Sequence, residues 1–485
     1  MANLRRSLVI NFFSSSGAAF LQFIVSVLLA RMLSPSEIGV FSMTVVFVNV
    51  AHIFRDFGVT AYVQREPDLT VEKMRSAIGV LFASSWLIAL LLFALSSWLG
   101  AWFQEPGIVP VMRVLALGFF VIPFGSITQS LLIREFAADK QAIVIAASTV
   151  AYCVSCLVFA ALGFGTMSLA WANLISLVTS ALCYIPLRPQ GMPWIPSLRH
   201  WRSIAHFGAG TLITNCTAAV NNAIPDILLG KLGSAHHVGL FSRANSTVSI
   251  FTHAAGSTIN YGAVSYLSQS HHRGESLSPV LSRATALLTG IGWPAYALTA
   301  LLGKEIVLVL YGATWIESVP AILPLTIAAA VMMMFQYAPA ALTAIGLPYL
   351  GAIPVAVTLL TRIGFGFWLF DGSLNTFAWA ICLATLAAAP VMALQQRRHL
   401  GYPVRAALGS VRLSALVTLL CVIACLGLKL VLPESMPVVA RLLTMALLLA
   451  VTWYLALRFT RHALLGEVHL LAAGLKSRLV RARMA

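Results

Sequence analysis

Three arginines sit inside long apolar stretches of this sequence: Arg55, Arg243 and Arg362. A charge held within a hydrophobic span costs roughly 2.5–3.5 kcal/mol on insertion scales, so such residues usually face a polar interior and mark a pathway or a partner. The guanidinium is a planar fork of donors that matches phosphate and carboxylate. The chemistry these positions fit is therefore capture of an anion within a membrane. Arg55 adjoins Asp56, and the alternative for it is an ion pair with that acid or extension to the surface. Arg31 and Lys231 add cations at the ends of apolar runs, where they serve as anchors or as cargo ligands. Asp56 and Asp226 are the acids deep in apolar sequence. Asp226 follows Pro225, which is expected to bend its helix. Its carboxylate suits a coupling proton or sodium ion, or an ion pair with Arg243 or Lys231. His52, His206 and His253 read as packing residues rather than proton carriers.

Other chemistries lack their residues. No G-x-x-x-x-G-K-S/T loop is present, so nucleotide hydrolysis within this chain is not expected. The seven cysteines all lie in apolar sequence. Cys153 and Cys156 form a C-x-x-C without a second pair or a histidine cluster, so neither metal nor disulfide is expected. No cofactor and no catalytic constellation is read from the sequence. The outer loops carry only scattered acids: Glu37, Glu105, Glu305, Glu317, Asp371 and Glu434. A membrane polymerase, ligase or glycosyltransferase needs more than these, so an enzyme is not expected. The net charge of +16 is spread over short loops and the C-terminus rather than one face, which argues against nucleic acid.

The elements that must position these groups are membrane helices. Hydrophobic residues make up 59% of the chain and charged residues 9%, and the mean hydropathy is +0.90. Ordinary soluble domains carry about a quarter charged residues. Runs such as Phe20–Ala30, Val80–Phe103 and Met445–Leu457 belong to stretches long enough for a crossing of about 20 residues. About fourteen such stretches can be traced, which predicts an all-α integral membrane protein. With the N-terminus inside, most of the 31 Lys and Arg fall on the cytoplasmic side, and both termini are expected there. The uncharged loop at 344–349 is the weakest point of that topology. Arg5 and Arg6 precede an apolar run without a cleavage pattern, so it reads as the first span. The basic tail, 459–485, is expected on the inner leaflet or as a disordered segment.

The sequence also echoes itself at an offset of 200. "LLARMLSPSEIGVFS" (28–42) matches "LLGKLGSAHHVGLFS" (228–242), with Leu28, Leu29, Ser34, Gly39, Phe41 and Ser42 repeated identically. A fainter echo pairs "VPVMRVLALGFF" (109–120) with "VPAILPLTIAAA" (319–330). An even number of spans separates the stronger pair, so the copies point the same way and form a parallel repeat. The expected domains are an N-terminal lobe at 1–200, a C-terminal lobe at 201–400, two additional helices at 401–458 and the tail at 459–485. Two such lobes are the architecture of alternating access, with Arg55 and Arg243 on repeat-equivalent spans facing each other.

The runs "FSSSGAAFLQFIVSVLLARMLSPSEIGVFSMTVVF…FRDFGVTAYVQRE", "DILLGKLGSAHHVGLFSRAN" and "VLVLYGATW" resemble the bacterial polysaccharide flippases, or Wzx-type exporters. These belong to the multidrug/oligosaccharidyl-lipid/polysaccharide exporter superfamily. The resemblance covers nearly the whole chain and does not name the sugar. It implies two six-helix lobes in a V with two extra helices, as in colanic-acid and exopolysaccharide exporters. It implies transfer of undecaprenyl-diphosphate-linked oligosaccharide from the cytoplasmic to the periplasmic leaflet of the inner membrane. Polysaccharide polymerase and co-polymerase proteins would be the protein partners. On that resemblance Arg55, Arg243 and Arg362, with Arg31 and Lys231, would line a wet cationic cavity. Asn215, Asn221 and Asn222 would contact glycan, the alternative being interhelical hydrogen bonds. A multidrug-type exporter needs an apolar or acidic cavity, which the embedded arginines disfavour, and a peptidoglycan-precursor flippase would share fold and mechanism.

Overall fold

Helix formation follows the apolar runs, because backbone amides in hydrocarbon must be satisfied within their own segment. The computed structural model of the protein describes residues 2–66, 68–193, 195–199, 201–433 and 435–468; within these, the side chains of 2–6, 8–9, 61, 65, 203, 205–215, 251–266 and 348 lie outside the description. All regular structure among the described residues is helical. In chain order the helices are α1 (Ala2–Met32), α2 (Pro35–Asp56), α3 (Val59–Arg65), α4 (Val71–Phe103), α5 (Ile108–Val121), α6 (Pro123–Arg134), α7 (Ala138–Ala161), α8 (Met167–Tyr184), α9 (Trp201–Leu232) and α10 (Ala235–His272). They continue with α11 (Leu277–Leu301), α12 (Gly303–Leu310), α13 (Val319–Met333), α14 (Ala338–Ala344), α15 (Ala352–Leu369), α16 (Leu374–Leu400), α17 (Val404–Val431) and α18 (Val438–Thr460).

Eleven stretches among the described residues are long and apolar enough to cross a membrane. They become twelve when α5 and α6, bent by 56°, count as one span. Pro123 opens α6 and supplies the break, since proline removes a donor and crowds the preceding turn. The expected total of fourteen is not reached by this count. The seventh and eighth expected spans fall on α9 and α10, which include side chains outside the description.

Two compact units divide the chain, Met1–Leu240 and Phe241–Ala485. In the first, α1 packs on α7, α7 on α8, and α4 on α5, while α9 lies against α2, α3 and α4. A buried cluster that includes Tyr62, Ile78, Leu81, Ile127, Leu131 and Ile204 ties α3, α4, α6 and the start of α9 together. In the second unit α11 packs on α17, α16 on both α13 and α15, and α17 on α18. The two last helices are fastened by Thr289, whose hydroxyl donates to Ser414 Oγ at 2.9 Å, and by His462 Nε2, 3.0 Å from Ser414 Oγ. Trp453 Nε1 donates to the Gly290 carbonyl at 2.8 Å.

The repeated segment has a structural reason in each copy. Ser34 caps α2: its Oγ accepts from the Glu37 amide at 3.3 Å, and Glu37 Oε2 accepts from the Ser34 amide at 2.7 Å. This capping box satisfies amides that the first turn leaves open. At the second copy Ser234 Oγ accepts from the His237 amide at 3.4 Å. The shared glycines meet reciprocally. A Cβ on Gly39 would stand 1.7 Å from the Ala235 carbonyl oxygen, and one on Gly239 would stand 1.9 Å from that of Pro35. The starts of α2 and α10 thus cross backbone to backbone, which no side chain permits.

Candidate functional site

Arg55 occupies the last turn of α2. The helix stops because Phe57 adopts a left-handed conformation (φ 43°), followed by Gly58 at φ 73°. Ser84 on α4 donates to the Arg55 carbonyl at 2.7 Å and fixes that end. The guanidinium reaches α6, where Nη1 donates to Ser126 Oγ at 3.2 Å. Its Nε is buried and finds no hydrogen-bond partner among the described residues. Asp56 does not supply one: its carboxylate accepts a close hydrogen bond from the Thr60 hydroxyl. Adjacent helical residues point away from each other, and among the described residues no direct hydrogen-bonded ion pair joins Arg55 to Asp56, whose charge acts on it at longer range. One turn earlier His52 stacks on Phe119, centroids 4.6 Å apart, in the packing role expected for it.

The other first-unit residues are spread out. Arg31 is exposed at the end of α1. Lys231, at the end of α9, donates to the Trp102 carbonyl at 2.8 Å and lies 5.2 Å from the Trp102 ring centroid. Its ammonium is spent on an aromatic anchor, and among the described residues no ion pair joins it to Asp226. Asp226 is half-buried, and α9 continues through Pro225 without interruption. Asn221 is half-buried and Asn222 exposed, and the side chain of Asn215 lies outside the description. Asn222 and Asp226, four residues apart, share one helix face.

In the second unit, Arg243 is set between two rings of the "YGATW" segment. Its Cζ lies 5.6 Å from the centroids of both Tyr311 and Trp315. Those rings stand edge to face at 6.5 Å and are themselves almost wholly buried. Such contacts hold a guanidinium in place without neutralising it. Arg362 is half-buried on α15, beside Thr361, whose hydroxyl donates to the Ala384 carbonyl of α16 at 3.2 Å.

Three features escape a reading of the sequence. Tyr311 and Trp315 are visible as part of a motif, but nothing in their spacing assigns them to Arg243. Glu305 on α12 and Arg441 on α18 form an ion pair, with Arg441 Nη1 3.8 Å from Glu305 Oε1 and Glu305 buried. The third is an apolar cleft of about 1080 Å³ in the first unit, between α2, α4 and α9. Phe47, Phe54, Leu87, Leu95, Trp98 and Trp201 are among its walls. Apolar side chains that line a cleft look like any lipid-facing residue in sequence.

The helical order matches known membrane transporters. A lipid II flippase MurJ in an inward closed conformation superposes with a TM-score of 0.75 at 13% identity, over 93% of this chain and 99% of that one. An inward-facing multidrug resistance MATE family transporter of the MOP superfamily gives 0.65 at 14% identity, over 79% and 94%. Fold and hydropathy together define a multi-pass helical membrane protein of the transporter fold these share. The family described as "Polysaccharide biosynthesis protein" matches residues 28–320, more than half of the chain, and the protein belongs to that family. The Wzx-type resemblance read from the sequence is thereby borne out. Among similar proteins, the succinoglycan biosynthesis transport protein ExoT of Rhizobium meliloti is 24% identical over 63% of this chain and 62% of that protein. The lipopolysaccharide biosynthesis protein WzxC of Escherichia coli is 22% identical over 23% of each. The chain thus spans less than two thirds of the length of these two relatives.

Proposed function

We propose that this protein is a flippase that carries undecaprenyl-diphosphate-linked oligosaccharide across the bacterial inner membrane, for surface or exopolysaccharide synthesis, by alternating access. Its termini lie in the cytoplasm, and a polymerase and co-polymerase receive the product on the far side. The observation that carries this reading is Arg55. It is a guanidinium at the end of a membrane helix whose described hydrogen-bond partner is one neutral hydroxyl, with Nε left over. In a family of polysaccharide biosynthesis proteins, the ligand that completes such a fork is the diphosphate of a lipid carrier. Arg243 supplies a second anchored cation, and Arg362 a third. Arg31 and Lys231 act at the surfaces. Asp226 binds the coupling ion, Asp56 orders the helix end, and Asn215, Asn221 and Asn222 contact glycan. The similarity to ExoT and WzxC, by their names a succinoglycan transport protein and a lipopolysaccharide biosynthesis protein, supports the cargo class.

The test is deletion of the gene followed by complementation. Loss of surface polysaccharide with build-up of lipid-linked oligosaccharide on the inner leaflet is the expected result. Full restoration by an Arg55→Ala, Arg243→Ala double variant at normal expression would refute the roles of these arginines.

A further inference from the structure

The apolar cleft of the first unit has a length that ordinary bilayer lipids do not explain. Its wall on α4 runs from Val80 to Leu99, which at 1.5 Å per residue is about 28 Å. The hydrocarbon core of a bilayer is about 30 Å thick. The cleft is thus about as long as the hydrocarbon core is thick. Phe54, Phe57, Leu198 and Trp201 stand at one end, and Phe47, Trp98 and Ile227 at the other. Its volume of about 1080 Å³ lies just above the usual range for ligand pockets, roughly 300–1,000 Å³. An acyl chain fills one leaflet, about half that length, so two lipids end to end would be needed to fill it.

The described walls of the cleft carry no charge, and a cation lies near each end. Near the first end Arg202 packs 5.9 Å from the ring centroid of the wall residue Trp201. At the other, Lys231 follows Ile227 by one turn and binds Trp102, whose ring stacks on Trp98 at 6.1 Å. An oily track of membrane thickness with a cation near each end suits a particular kind of molecule. That molecule has a single long apolar tail and one anionic head, which rests at one face before transfer and at the other face after it.

We propose that the cleft between α2, α4 and α9 is the track for the isoprenoid tail of an anionic polyprenyl lipid. The inference rests on the flippase reading and deepens it by locating the tail. Only the head needs a polar route, because the tail remains in hydrocarbon throughout, held along α4 while the head changes sides. The described walls all belong to the first unit, so one packed body grips the tail.

The experiment is native mass spectrometry of the full-length protein with undecaprenyl phosphate and dipalmitoyl phosphatidic acid, which share a phosphate head and differ in their chains. The wild type is expected to retain the polyprenyl lipid in preference to the diacyl lipid by about tenfold or more, or ~1.4 kcal/mol. A Val50→Trp, Leu91→Trp variant, which plugs the middle of the cleft, is expected to lose that preference. Equal retention of both lipids by the wild type marks an ordinary lipid-facing surface and overturns the proposal. So does an unchanged preference in the plugged variant. Should that variant fail to fold, a benzophenone amino acid at Leu91 is expected to crosslink polyprenyl phosphate, while one at the lipid-exposed Leu419 is not; equal crosslinking overturns the proposal. Rescue of the deletion strain separates the two readings. A wild type that rescues but crosslinks no more at Leu91 than at Leu419 defeats the cleft alone. One that neither rescues nor binds polyprenyl phosphate defeats the flippase reading as well.

Discussion

Replacing Gly39 or Gly239 by alanine probes the point where the two copies of the repeat meet. The new methyl carbon would stand 1.7 Å from the Ala235 carbonyl oxygen in the first case and 1.9 Å from that of Pro35 in the second. Non-bonded carbons settle at about 3.5–4.0 Å, and carbon–oxygen contacts are only slightly closer. Relief requires the starts of α2 and α10 to separate by about 1.5 Å, since the obstacle is backbone rather than a flexible side chain. Overpacking of this kind costs about 1–3 kcal/mol. One separation relieves both clashes, so the double variant should cost little more than either single one, leaving a coupling energy of about 1 kcal/mol or more. Gly17 is the control: nothing lies within 4 Å of its Cβ position, and alanine there should be neutral or stabilising by up to about 1 kcal/mol. Thermal unfolding of the purified protein in one detergent reads all four variants. Costs below about 0.5 kcal/mol at Gly39 and Gly239, or costs that simply add, would refute the backbone crossing.

Trp315→Ala should destabilise the second unit by about 3–5 kcal/mol, because the ring is wholly buried and stands against Arg243; a thermal shift comparable to that of a surface substitution would contradict the packing. Ser34→Ala should cost about 1 kcal/mol through loss of the capping box, read in the same assay. His462 lies beyond the last span, and burial holds its imidazole below the usual histidine range. Its stabilising contribution is then complete above about pH 6.5 and is lost as pH falls through the lowered value, because the unfolded chain binds the proton more tightly. Unfolding temperature should decline on acidification from about pH 8 to about pH 5, and His462→Gln should flatten that profile. Arg55→Lys should restore less transport than wild type although it keeps the charge, because an ammonium lacks the paired donors; equal restoration would show that charge alone suffices.

The sequence makes the class of this protein plain because bilayer physics is written in composition. Long apolar runs broken by basic loops leave no other stable arrangement than membrane helices. The repeat is legible for a similar reason: Ser34 and Gly39 recur as Ser234 and Gly239, and each pair has one local task, capping a helix or allowing a backbone crossing. The site is less legible. That Arg55 is embedded can be read directly, but its partner, Ser126 at 3.2 Å, lies 71 residues away and is one of many serines. No direct Arg55–Asp56 contact is among the described hydrogen bonds, because neighbouring helical side chains diverge and the Thr60 hydroxyl donates to the carboxylate. The ion pair of Glu305 and Arg441 and the rings around Arg243 depend on contacts between distant segments, which no periodicity encodes. The cleft left no trace at all, since its walls are chemically identical to the lipid-facing surface.

The central claim is that this chain moves a polyprenyl-diphosphate-linked oligosaccharide between leaflets. The direct measurement places the purified protein in vesicles loaded with that lipid and follows the fraction of glycan open to an added glycosidase. The account predicts that wild type exchanges the protected inner-leaflet pool and that Arg55→Ala slows exchange strongly while folding normally. Protected glycan that stays protected with wild type present, or equal exchange by Arg55→Ala, would contradict it.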